Sequence, residues 1–138
     1  MRIGIVISCL LTGFILQAQQ SNTTLTIEFD GIKKAKGTKV YVALYHSEAS
    51  FLKKPLKGTV TEVKEGKAKS TFTDLSPGVY AVSAFYDKNA NGKMDTNFLG
   101  IPKEPTAMSN NAKARFGPPK YKDAKFELKE DTTITISF

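Results

Sequence analysis

Residues 87–95 read Asp87-Lys88-Asn89-Ala90-Asn91-Gly92-Lys93-Met94-Asp95. Oxygen-bearing side chains stand at positions 1, 3, 5 and 9 of this run, with glycine at 6. That is the order of the first nine positions of an EF-hand-type calcium loop. Alternate residues can point into one concavity, and glycine permits the sharp turn. A hard cation such as Ca²⁺ takes about six to eight oxygens. Asp87, Asn89, Asn91 and Asp95 are therefore the candidate metal ligands. Position 12 is Phe98 rather than a bidentate glutamate, so a further ligand must be a backbone carbonyl, water or a remote acid such as Glu104. With only two charged ligands, the expected affinity is weak, on the order of 10⁻⁵ to 10⁻³ M. The same residues also suit an Asx-rich turn, in which short polar side chains bond their own backbone. The spacing leaves both alternatives open.

A second polar run follows at Ser109-Asn110-Asn111-Ala112-Lys113-Ala114-Arg115. Asn110, Asn111 and Arg115 can form a patch for a carboxylate or sugar hydroxyls, or can lock the loop through bonds to its backbone. Glu104 belongs with them as a ligand or locking residue. Gly117-Pro118-Pro119 stiffens the return into the next element. Catalytic signals are poor. His46 is the single histidine and reads as structural or exposed, and no nucleophile motif accompanies it. One enzymatic alternative remains, a carbohydrate-processing hydrolase with Asp95 and Glu104 as paired carboxylates.

These residues sit in a stretch, 87–120, that shows no strand and no long helix. Structureless connections of this length are uncommon in compact domains and are usually functional or disordered. Phe98, Leu99, Ile101, Met108 and Phe116 argue for an ordered, packed loop. The elements that must hold it are strands. Leu25, Ile27 and Phe29 alternate with polar neighbours, as do Val40, Val42 and Leu44, then Ala124, Phe126 and Leu128, then Ile134, Ile136 and Phe138. Such period-2 alternation marks half-buried strands. Residues 79–86 are apolar on both faces, as a central strand would be. Weaker strands fit 58–64 and 67–73, joined by a Glu65-Gly66 turn. Asp30-Gly31, Lys36-Gly37 and Ser76-Pro77-Gly78 mark further reversals. Ser47 can cap a short helix, Glu48 to Lys53, ended by Pro55. About seven strands with regular turns predict an all-β antiparallel sandwich, immunoglobulin-like or prealbumin-like, with one long ordered loop.

The N-terminus has a different character. Arg2 precedes an uncharged apolar run from Ile3 to Leu16, and Gln17-Ala18-Gln19 gives a polar, small-residue exit. This is the layout of a secretory signal peptide, and the run is too short to span a bilayer, which needs about 20 apolar residues. The expected division is a signal peptide at 1–19 and a single sandwich domain at 20–138. Val6-Ile7-Ser8-Cys9 only loosely resembles a lipoprotein box, because more apolar sequence follows Cys9, and lipid anchoring there is not expected. Cleavage would remove the one cysteine, so the exported domain would use no disulfide. It would also lower the formal charge from +7 to +6 by removing Arg2. The lysines are scattered over many segments, as on solvated faces, and export argues against nucleic acid as the partner.

The residues from Leu75 through Phe126 resemble a bacterial family catalogued as domain of unknown function 2141. The elements that carry the likeness are Pro77-Gly78-x-Tyr80, Phe85-x-Asp87-x-Asn89-x-Asn91-Gly92-x-x-Asp95, Phe98-Leu99-Gly100-Ile101-Pro102-x-Glu104, Ser109-Asn110-Asn111 and Phe116-Gly117-Pro118-Pro119. The resemblance implies export and fold but no reaction. The Pro-Gly-x-Tyr strand entering an Asp-Asn-Asn-Gly loop also looks like prealbumin-like modules of bacterial surface proteins, a fold-level likeness only. Together the readings predict an exported, non-enzymatic binding or structural module, periplasmic or extracellular, with a weak Ca²⁺ site at 87–95. No membrane span is expected after signal cleavage, and the expected partner is an envelope protein or a glycan. A surface assembly or adhesion subunit docking by a sheet edge is a third alternative.

Overall fold

A computed structural model describes residues 21–33 and 39–138. The expected signal peptide, Cys9 and the Lys36-Gly37 turn lie outside the described residues.

Alternation in the first strand, β1 (Thr23–Asp30), buries Leu25, Ile27 and Phe29 on one face. The same rule makes β2 (Lys39–Tyr45), which buries Val40, Val42 and Leu44. β3 (Lys57–Glu62), β4 (Ala68–Leu75) and β5 (Gly78–Asp87) follow, then β6 (Thr106–Met108), β7 (Phe126–Leu128) and β8 (Thr132–Ser137). One sheet has the order β4-β1-β8. The other has the order β3-β2-β5-β6, with β7 also pairing with β5. The two inner faces meet in one core. Leu25, Ile27, Phe29, Phe72 and Ile136 come from the first sheet and Val40, Val42, Leu44, Val82 and Ala84 from the second. Each large side chain fully buried there contributes about 1.5–3 kcal/mol. The chain is an all-β sandwich, and β5, apolar on both faces, lies inside its sheet as expected.

The details depart from the sequence reading in five places. First, β1 and β8 run parallel, Leu25 opposite Thr132 through Asp30 opposite Ser137, so the sandwich is not wholly antiparallel. Alternation fixes which face is buried and says nothing about strand direction. Second, the loop 87–120 contains an additional strand, β6, and a 3₁₀ turn at Ser109–Asn111. Three residues are too few to alternate visibly. Third, the stretch read as a strand from Asp123 to Leu128 begins as a short helix, α1 (Tyr121–Ala124). Ala124 is buried there in a small second cluster with Tyr45, Phe51 and Met108. Fourth, Glu65-Gly66 does form a tight turn with both residues at positive φ, and Lys64 and Lys67 exchange backbone bonds across it. It joins no hairpin, however: β3 leaves for β2 and β4 for β1, in opposite sheets. Fifth, residues 48–53 make turns rather than a regular helix. Ser47 caps them as expected, its Oγ accepting the Ser50 N–H at 3.2 Å, but Leu52 takes φ 58° and stops the winding. Among the described residues, no helix is long and apolar enough to cross a membrane.

Candidate functional site

β5 ends on Asp87, and the chain turns at once. Asp87 Oδ1 accepts the Asn91 N–H at 3.2 Å and Oδ2 accepts the Gly92 N–H at 2.8 Å. Gly92 sits at φ 77°, where a side chain would be strained. Asn89 Oδ1 accepts the Asn91 N–H at 3.3 Å, and Asn91 Oδ1 accepts the Lys93 N–H at 2.9 Å. The side-chain amides of both asparagines point at Asp95. Asn89 Nδ2 donates to Asp95 Oδ2 at 2.6 Å, and Asn91 Nδ2 donates to both carboxylate oxygens at 2.9 and 2.8 Å. These amide bonds hold the Asp95 carboxyl below its usual range, helped by Lys103 and Lys93.

Glu104 folds back under the loop. Its Oε1 accepts the Lys88 N–H at 3.1 Å and its Oε2 the Asp95 N–H at 3.3 Å. It is 6% exposed and Asp87 2%, and the two carboxyl groups influence each other's charge. Burial pushes the Glu104 carboxyl up; the Asp95 N–H pulls it down, and contact with Asp87 raises it further. The acids thus pair as Asp87 with Glu104, while the Asp95 carboxyl faces Asn89 and Asn91.

All four candidate metal ligands are brought together. Their donor types suit a hard cation, but their oxygens are engaged in the loop's own hydrogen bonds. Among the described residues, no group of three or more acids, histidines or cysteines converges as a metal cage would.

The second polar run divides. Asn110 Nδ2 donates to the backbone carbonyls of Asp123 and Lys125 at 3.2 and 2.8 Å. Asn111 Oδ1 accepts the Ser137 N–H at 3.0 Å, tying the loop to the edge strand β8. Both residues adopt positive φ, which asparagine tolerates. Arg115 is exposed. His46 is exposed just past β2.

Three features escaped the sequence reading. Ser109 is fully buried, and its Oγ accepts the Val82 N–H at 2.9 Å and donates to the Ala124 carbonyl at 2.6 Å. Asn97 Oδ1 accepts the Leu99 and Ile101 N–H groups at 2.9 and 3.0 Å, building a tight turn that leaves Phe98 95% exposed. The third is a groove. Tyr41, Ala43, Ser83 and Phe85 lie on the outer face of the second sheet, opposite the sandwich core. The Tyr41 and Phe85 rings stack at 4.9 Å and 5°. Met94, Leu99, Ile101, Phe116 and Pro118 from the long loop line the other side of this groove, which is open to solvent and holds about 1240 Å³. The signal was present in the two-faced apolarity of β5, whose outward side needs cover as much as its inward one.

Comparison with curated proteins finds no match. Residues 27–136, most of the chain, match the family described as "Uncharacterized protein conserved in bacteria (DUF2141)", and the chain belongs to that family.

Proposed function

We propose that this chain is an exported, non-enzymatic binding module of the bacterial envelope, and that its ligand site is the apolar groove between the outer face of the second sheet and the 87–120 loop. One observation carries the reading. Eight large apolar side chains are exposed among the described residues, and five of them, Leu52, Val60, Leu99, Ile101 and Phe116, line this groove. Apolar exposure gathered at one concavity marks a binding site, whereas scattered exposure marks nothing. No nucleophile and base stand together there to suggest catalysis. We read the sandwich as prealbumin-like, a frame that leaves loops at its ends free to build sites.

A neutral environment-sensitive dye, N-phenylnaphthylamine, tests the groove. Its fluorescence rises on binding the native protein, and Ala43→Phe, which fills the groove floor, removes most of the rise. Equal binding by that variant would overturn the assignment. Export rests on the Arg2–Gln19 pattern, and N-terminal sequencing of the natively expressed protein checks it: a mature start near Gln19 or Gln20 is expected, and retained Met1 contradicts it.

Calcium at Asp87, Asn89, Asn91 and Asp95 is a second element of the proposal, favoured by two carboxylates and two amides in one turn. To bind it, Asn89 and Asn91 must give up their bonds to Asp95 and turn their amide oxygens inward, which keeps affinity weak.

A further inference from the structure

The groove's chemistry narrows what it can hold, and the narrowing rests on the binding reading above. Its floor carries two rows of side chains, set by strand register. Val60, Tyr41 and Phe85 make a bulky row, since Tyr41 lies opposite both Val60 and Phe85. Gly58, Ala43 and Ser83 make a small row beside it. A furrow therefore crosses the strands next to the stacked rings. The small row spans three strands, about 10 Å across such a sheet, and Met108 opposite Ser83 closes it on β6.

Polar partners inside the furrow are few. The Ser83 hydroxyl lies 3.2 Å from that of Tyr45. The two central floor strands, β2 and β5, are paired on both sides, so their backbone groups are engaged within the sheet. An extended peptide would leave its own N–H and C=O groups without partners there, at a free-energy cost. A glycan would lack the side-chain donors and acceptors its hydroxyls require. A bilayer is flat and can touch the rim but not enter the concavity.

The rim is cationic. Lys53, Lys113, Arg115 and Lys120 are each adjacent in sequence to a residue lining the groove, and all are exposed. The one ion pair among the described residues is Lys129 with Glu127, so none of these cations has a carboxylate within bridging distance. The one acid lining the groove is Glu104, whose oxygens accept backbone N–H groups. Lys113 and Arg115 flank Ala114, and Arg115 precedes Phe116, both lining residues.

We propose that the groove binds a single-chain anionic amphiphile, a long-chain alkyl carboxylate, with its chain in the furrow beside Tyr41 and Phe85 and its head group held by Lys113 and Arg115. Apolar burial would supply affinity, each added methylene tightening Kd by at most about four-fold. The exposed cations would select the charged head, and added salt would weaken that selection.

Calorimetric titration of the full chain decides it, using hexadecanoate and hexadecanol below micelle formation. Three proteins are compared: native, Ala43→Phe, and Lys113→Glu/Arg115→Glu. The expected result is one-to-one binding of hexadecanoate, at least ten-fold weaker binding of the alcohol, and at least ten-fold weakening of hexadecanoate alone in the charge variant. The charge variant alters only exposed loop side chains, so it reports even if Ala43→Phe fails to fold. Equal binding of acid and alcohol, lost in Ala43→Phe, overturns the anionic assignment and leaves the groove reading standing. No binding of either chain, with the neutral dye also silent, overturns both. Co-sedimentation with vesicles containing phosphatidylglycerol, without binding of the monomeric chain, overturns the proposal in favour of a membrane surface.

Discussion

At the scale of the residue, the Asp87–Asp95 turn shows how one pattern serves two chemistries. Oxygens at alternate positions can face a cation or their own backbone, and here they face the backbone and one another. The residue pattern was legible in the sequence, but the choice between partners was not, because it depends on which way two asparagine amides turn. Calcium should reverse that choice only at high concentration. At millimolar Ca²⁺ the melting temperature should rise by a few degrees, and Asp87→Ala/Asp95→Ala should abolish the rise; an unchanged melting temperature in the native protein would remove the metal from the account. Glu104 makes a prediction of opposite sign to most acids. Its folded pKa is raised, so its contribution to stability is fully present below the unfolded glutamate value and is lost as pH rises through the folded value. Asp95, with a lowered pKa, contributes above its unfolded value and loses that contribution only as pH falls through its lower folded one. In chelator-treated protein, acidification from neutral pH toward the ordinary glutamate range should therefore stabilise the native chain. Glu104→Gln should lack that gain, and parallel pH profiles for the two proteins would refute it.

At the scale of the element, strands with five or more alternating residues were readable; of the two three-residue strands, β7 was read as the end of a longer one and β6 was not read at all. β1, β2 and β8 appear near their expected places because alternation alone decides their buried face. β6 and the 3₁₀ turn after it were hidden because three residues carry no period. What fixes them is tertiary: the Ser109 hydroxyl joins the β5 backbone to the end of α1. Nothing in the sequence distinguishes Ser109 from the loop's other polar residues. Ser109→Ala should leave the Val82 N–H without that bond and cost about 1–3 kcal/mol, read as a lower urea midpoint at unchanged m-value. A loss below about 0.5 kcal/mol would show that the hydroxyl is not the pin of this loop. Asn97 and Asn110 act alike, each ordering irregular chain by bonding backbone groups two or more residues away.

At the scale of the whole molecule, the sandwich class was legible from strand count and turn chemistry, while its topology was not. Parallel β1 and β8, and a tight turn that sends β3 and β4 to different sheets, depend on partners distant in sequence. The groove belongs to this scale too, since it forms only where the outer face of β2 and β5 meets a loop that begins at Asp87, far along the chain from the end of β2 at Tyr45. Its residues look like ordinary core positions until the loop is placed over them. The central claim is that this concavity, rather than the acidic turn or a sheet edge, is where the protein binds. Backbone amide shifts recorded during titration with N-phenylnaphthylamine test it most directly. Shifts are expected to concentrate at Ala43, Ser83, Phe85, Leu99–Ile101 and Ala114–Gly117. Shifts confined to residues 87–95 or to β8, with those amides still, would contradict it.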